Sequence, residues 1–144
     1  MTPLSDMMEA VRANIDRHGQ HIFFIVPEDD EPVFAYTIGN ATVALPELLL
    51  IGNFRTTTSG GILNDLGLKM RTSGKPLTGD ISLGGEFPVR IRAASPSATK
   101  RYTIQAGRFF GHNRYGVLQV LLCDPQGHYP GEPGCDPAFD IPLA

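Results

Sequence analysis

The sequence predicts an α+β domain: a mainly antiparallel sheet or partly open barrel of about five to six strands, with about three helices packed on one side of it. Three observations carry this expectation. Two β-prone runs, His21–Val26 and Val33–Ile38, are joined by a short acidic turn bounded by Pro27 and Pro32. Two other segments repeat apolar residues at helical spacing. The regular strand–helix–strand alternation of a parallel nucleotide-binding sheet is absent. With 144 residues the chain fits a single domain over 1–144, large enough to build a core without a metal or disulfide staple.

Taken in order, Thr2 is placed to cap a first helix, and Pro3 suits its first turn, where a missing N–H costs nothing. Leu4, Met7, Met8, Val11 and Ile15 recur at helical spacing, and Gly19 is a C-terminal stop. The His21–Val26 and Val33–Ile38 runs form a hairpin across Pro27-Glu-Asp-Asp-Glu-Pro32. Glu47–Ile51 is a third short strand. Thr58 or Ser59 then opens a helix with Ile62, Leu63, Leu66 and Met70 on one face, ending at Ser73-Gly74 and weakened by Gly60, Gly61 and Gly67. Residues 75–86 read as a loop or poorly paired edge strand. Val89, Ile91 and Ala93 alternate with Arg90 and Arg92 as in a half-buried strand with one cationic face. Ser97 caps a helix running through Arg108, Val117–Cys123 is a buried strand, and Asp124-Pro-Gln-Gly127 is a turn. The proline-rich remainder runs as an ordered loop or extended tail.

No apolar stretch approaches the roughly 20 residues of a membrane span, and the N-terminal segment mixes acids with bases unlike a secretory leader. A cytoplasmic protein without a membrane partner is expected. Cys123 and Cys135 then read as free thiols. The formal charge is −3, but its distribution is uneven. Residues 69–114 hold nine Lys/Arg against two acids, a balance of +7; the segment before carries −6 and the segment after −4. Either the fold interleaves and neutralises these segments, or a basic patch awaits an anion.

The chemical candidates follow from side-chain type. His18 and His21 lie close together, as do Cys123, His128 and Cys135, but neither set has the paired spacing of a structural zinc site, so no metal is expected. Cys135 lies between Glu132 and Asp136, carboxylates that raise a thiol pKa and oppose nucleophilic catalysis. The nucleophile elbow, the P-loop and the glycine fingerprint of dinucleotide sites are absent, and no catalytic residue is assigned. The strongest candidate is anion binding. Arg90 and Arg92 share a strand face, Lys100, Arg101 and Arg108 follow on a helix, and aromatics including Tyr102, Phe110, His112 and Tyr115 interleave with them. Guanidinium forks suit phosphate and aromatic rings can stack a base. Tyr36, Thr37, Arg90, Arg92, Arg101, Arg108 and His128 are the candidate ligand-binding residues.

The block FAYTIG with PELL (residues 34–39 and 46–49), and the closing LQVLLCDPQGHYPGEPGC (residues 118–135), identify a relationship. They resemble the bacterial domain-of-unknown-function family 4262, for which no activity carries over. Matching positions include Phe34, Tyr36, Gly39, Glu47, Gln119, Asp124, Gly127, Glu132 and Cys135. Where the resemblance leads one to expect aromatics, this chain has Gln20 and Gly131, and where a His-Pro-Glu is expected it has Leu45-Pro46-Glu47. Two readings stay open. The first is a noncatalytic binding domain for a protein partner or small anionic ligand, self-associating through a sheet edge or complementary charged segments, and not a general nucleic-acid binder. The second is a small-ligand enzyme, similar in layout to flavin-dependent split barrels, with a flavin or nucleotide as cofactor.

Overall fold

The structure, a computed structural model, describes residues 3–144, with side chains from Asp6 onward. The proposed Thr2 cap lies outside the described residues. Helix α1 (Pro3–His18) leads into β1 (His21–Ile25) and β2 (Phe34–Ile38). A 3₁₀ turn (Asn40–Val43) precedes β3 (Glu47–Ile51), α2 (Thr56–Ser73), β4 (Gly79–Ile81) and β5 (Val89–Ala93). Two short helices, α3 (Ala98–Arg101) and α4 (Ile104–Phe110), come before β6 (Val117–Leu121). The strands form one open sheet in the order β1-β2-β3-β6-β5-β4, in which only the β3–β6 pair is parallel. The α+β class is as expected, and the sheet does not close into a barrel.

Two expectations need correction. Helices cover both faces of the sheet, not one. Leu63, Leu66 and Met70 of α2 pack with Ala35, Leu48, Leu50, Ile91 and Val120, while Val11 of α1, Ala98 of α3 and Ala106 of α4 pack with Tyr36, Ile38, Leu49 and Val117. The reason lies in β3, an unbroken apolar run after Glu47 that must be buried on both sides. The predicted helix from Ser97 through Arg108 is broken into α3 and α4. Thr103, in a nonhelical conformation (φ −97°, ψ 48°), gives its hydroxyl to the Thr99 carbonyl and to a hydrogen bond with the Tyr115 hydroxyl. A β-branched residue with that local alternative interrupts a short helix.

The helix ends that glycines were expected to set are where they were expected. Gly19 at φ 90° donates its N–H to the Ile15 carbonyl, and Gly74 at φ 70° donates to Met70. Helix α2 opens earlier than predicted, after extended Arg55. Beyond β6 the chain turns at Asp124–Gly127 and crosses the β5–β6 side of the sheet, where Ile141 and Ala144 join the α1-side core. Buried Gln119 holds this segment, donating to the Pro142 carbonyl and accepting the Ala144 N–H. Among the described residues no helix is long and apolar enough to cross a membrane.

Candidate functional site

The centre of the fold holds a carboxylate. Glu47 opens β3 directly after Pro46 and is 0% exposed. Its Oε1 accepts the Thr37 hydroxyl at 2.8 Å and the Asn40 N–H at 3.2 Å; its Oε2 accepts the N–H groups of Gly39 at 3.0 Å and Ala41 at 2.9 Å. Burial pushes the Glu47 pKa up, and those same four donors oppose the rise. The network continues outward. Asn40 donates to the oxygens of Thr37 and Gln20, while Arg71 donates to Gln20 at 2.8 Å, to Asn40 at 2.6 Å and to the His18 carbonyl at 3.2 Å. Gln20 also donates to the Leu63 carbonyl, a close approach that Gly67 permits because a side chain there would overlap the Gln20 amide. The result is a rigid 3₁₀ turn at Asn40–Val43, set by a carboxylate that accepts most of its free N–H groups.

That turn is one wall of a cleft. Ala41 and Thr42 of the turn, with Leu45, Pro46, Phe110 and Tyr115, enclose a depression of about 430 Å³ whose rim carries His112 and Arg114. A second depression, of about 370 Å³, shares His112 and adds Lys100, Arg108 and Asn113 on the outer side of α4. The walls are fixed from beneath: the Glu47 N–H donates to the Gly116 carbonyl at 2.9 Å, and the buried Tyr36 hydroxyl accepts the Gln105 N–H of α4 at 3.0 Å. Burial accordingly raises the Tyr36 pKa to about 12. His112 accepts the Arg114 N–H on Nδ1 at 2.9 Å, so the neutral ring carries its proton on Nε2 and presents a donor. No Asp or Glu lines either depression, and none of the ion pairs among the described residues uses Lys100, Arg108 or Arg114. An apolar floor edged by the uncompensated donors His112 and Arg114, with Lys100 and Arg108 in the adjoining depression, suits a small anion with an apolar body.

The seven residues chosen from sequence are dispersed. Arg108 lines the second depression, on the outer side of α4; Tyr36 and Thr37 lie beneath the first as supports. Arg101 borders the region, 3.6 Å from Glu31 and over the Tyr102 ring. Arg90 is taken up by Asp80 at 2.9 Å, by Glu132 at 3.5 Å and by the Tyr129 ring, 3.8 Å to its centroid. Arg92 donates to Gln119 at 3.0 Å and to the Ala144 main-chain oxygen at 2.6 Å. Of the basic middle segment, Arg71, Arg90 and Arg92 are therefore bound within the fold, while Lys100, Arg108 and Arg114 on α3, α4 and the following turn are left without an ion pair among the described residues. The Gln20–Asn40–Glu47–Arg71 network was missed, although a glutamate leading an apolar strand is a visible signal of a buried carboxylate.

His128 belongs to a separate loop anchor. Asp124 accepts the N–H groups of Gln126, His128 and Asp136, and the His128 ring lies 3.3 Å from its Oδ2. Desolvation raises the Asp124 pKa, but these hydrogen bonds outweigh it and bring the value down to about 2. The Cys135 thiol faces the His128 and Asp136 carbonyls; desolvation and then the charges of Asp140, Asp124, Asp136 and Glu132 push its pKa up. Among the described residues no three His, Cys, Asp or Glu side chains converge as a metal site would need.

No curated protein and no solved structure matches the chain. A family described as Domain of unknown function (DUF4262) matches residues 14–136, which take in every strand, the Glu47 network and both depressions. The chain belongs to that family.

Proposed function

We propose that this domain is a noncatalytic, cytoplasmic binding module that takes a small anion with an apolar body in the His112 cleft. The observation that carries the reading is an apolar floor of Leu45, Pro46, Phe110 and Tyr115 edged by His112 and Arg114, with Lys100 and Arg108 in the adjoining depression that shares His112 and no acid lining either. A carboxylate or phosphate would meet guanidinium and imidazole donors there, and a ring would rest on Phe110 and Tyr115. Binding without turnover fits the thiol chemistry, since the pKa of Cys135 is pushed away from that of an active nucleophile.

The test is a titration of the protein with inorganic phosphate, benzoate and adenosine monophosphate, followed by amide shifts. Binding is expected to move residues 41–46 and 100–116, with the aromatic ligands tighter than phosphate. Arg108→Ala and Arg114→Ala should each weaken binding by about tenfold, equivalent to about 1.4 kcal/mol, without changing the unfolding midpoint. Shifts confined to other regions, or affinities unmoved by both variants, would refute the site. A flavin retained through purification would overturn the noncatalytic reading.

A further inference from the structure

We propose that two copies of this chain pair through β1 to form a continuous twelve-stranded sheet, with the acidic turn of each copy seated in the Arg71 cavity of the other. The two edges of the sheet differ in a way that singles out β1. At the β4 edge the strand is three residues long, opens at Gly79 with φ 70°, and carries Asp80 paired with Arg90. Short, charged edges of this kind resist pairing. The β1 edge is His21-Ile-Phe-Phe-Ile25, with no acid, lysine, arginine or proline, and its main chain pairs only with β2. Within it Phe24 is 44% exposed, and just beyond its end Val26 is 81% exposed.

Antiparallel pairing about a two-fold axis at Phe23 accounts for these surfaces together. Phe24 would lie opposite the partner's Ile22, and Val26 opposite the partner's Gln20. Residues 22, 24 and 26 point to the α2 side of the sheet, where Ile22 packs with α2 and Phe24 approaches Gly60. Leu68 of α2, 61% exposed, stands on that same side and lines one cavity with Ile22, so exposed Val26 would meet the partner's Leu68. That cavity, about 450 Å³, opens beside the start of β1 and is lined by Asn14, His18, Gln20, Asn64 and Arg71, with no acid among its walls. The same symmetry sets Glu28, first of the four exposed acids Glu28–Glu31, opposite the partner's His18 at its mouth. Negative turn and positive cavity are complementary at both ends of the pair.

Native mass spectrometry and sedimentation of the full chain from about 1 to about 100 μM decide the matter. A dimer is expected for the unaltered protein. Val26→Lys, at a position too exposed to disturb the fold, should shift the dissociation constant upward by about a hundredfold or more with circular dichroism and unfolding midpoint unchanged. Glu28→Lys should weaken the dimer by about tenfold, more strongly at low salt. Arg108→Ala should leave it intact, which separates this interface from the anion cleft. A monomer throughout the concentration range, or a dimer indifferent to both Val26→Lys and Glu28→Lys, would overturn the proposal.

Discussion

Replacing Glu47 with alanine removes the single group that accepts hydrogen bonds from Thr37, Gly39, Asn40 and Ala41. The Thr37 hydroxyl can turn elsewhere, but the three main-chain N–H groups are fixed by the turn. Each buried donor left unpaired costs about 1–3 kcal/mol. Alanine also relieves the carboxylate of its own desolvation and makes room for water, which places the net loss at the lower end, about 3 kcal/mol. Urea unfolding at neutral pH, followed by far-ultraviolet circular dichroism, measures it. The variant should also lose a pH dependence. Burial holds the Glu47 pKa in the folded state above that of an unfolded glutamate, so the folded protein takes up a proton first as pH falls. The part of its contribution that comes from this proton uptake is therefore fully present below the ordinary glutamate pKa and is lost as pH rises through the folded value. Between those two pH values, the stability of the unaltered protein minus that of Glu47→Ala should fall as pH rises. A loss below about 1 kcal/mol would refute the assignment of Glu47 as the acceptor that sets the turn, and a difference flat across that window would refute the raised pKa.

Two further outcomes follow from the same geometry. Tyr36→Phe removes the acceptor of the Gln105 N–H while keeping the ring in the core, and should cost about 1–2 kcal/mol by urea unfolding and broaden the amide signals of α4. Asp124→Asn tests the loop anchor through acid: the folded Asp124 pKa is depressed to about 2, so its contribution is present above the ordinary aspartate range and lost as pH falls through about 2. Hydrogen exchange at Gln126, His128 and Asp136 should accelerate in the variant at neutral pH, and in the unaltered protein only near pH 2.

The strands were legible because each is a short run of β-prone residues bounded by proline, glycine or acids: 21–25, 34–38, 47–51, 89–93 and 117–121 all fall within the predicted segments. Their order was not. The insertion of β6 between β3 and β5 depends on contacts between residues seventy positions apart, such as Glu47 and Val117, and local pattern carries no information at that range. The site was legible in part. Arg108, picked out by its charge and helical position, lines the depression beside the cleft, but Arg90 and Arg92, equally basic, are bound by Asp80, Glu132, Gln119 and the chain near Ala144. Sequence shows a charge without showing its partner. Tyr36 and Thr37 were singled out for polar atoms on a strand, and those atoms do make directed hydrogen bonds, toward α4 and toward Glu47.

The positions that carry the family resemblance explain why it names a fold and not a ligand. Tyr36 holds α4, Gly39 adopts φ 137° beneath the Glu47 carboxylate, Gln119 holds the segment near residue 142, Asp124 anchors the closing loop, and Gly127 turns it at φ 87°. Tyr36, Gln119 and Asp124 act on the main chain of another segment, and the two glycines supply backbone conformations with positive φ. Lys100, Arg108, His112 and Arg114, the groups that a ligand would meet, lie between the two motif blocks and outside both. Gln20, where the resemblance leads one to expect an aromatic, joins the polar network through Asn40 and Arg71. A motif made of such supports specifies where a cleft is built and how it is held, while the charged groups around it come from residues outside the motif.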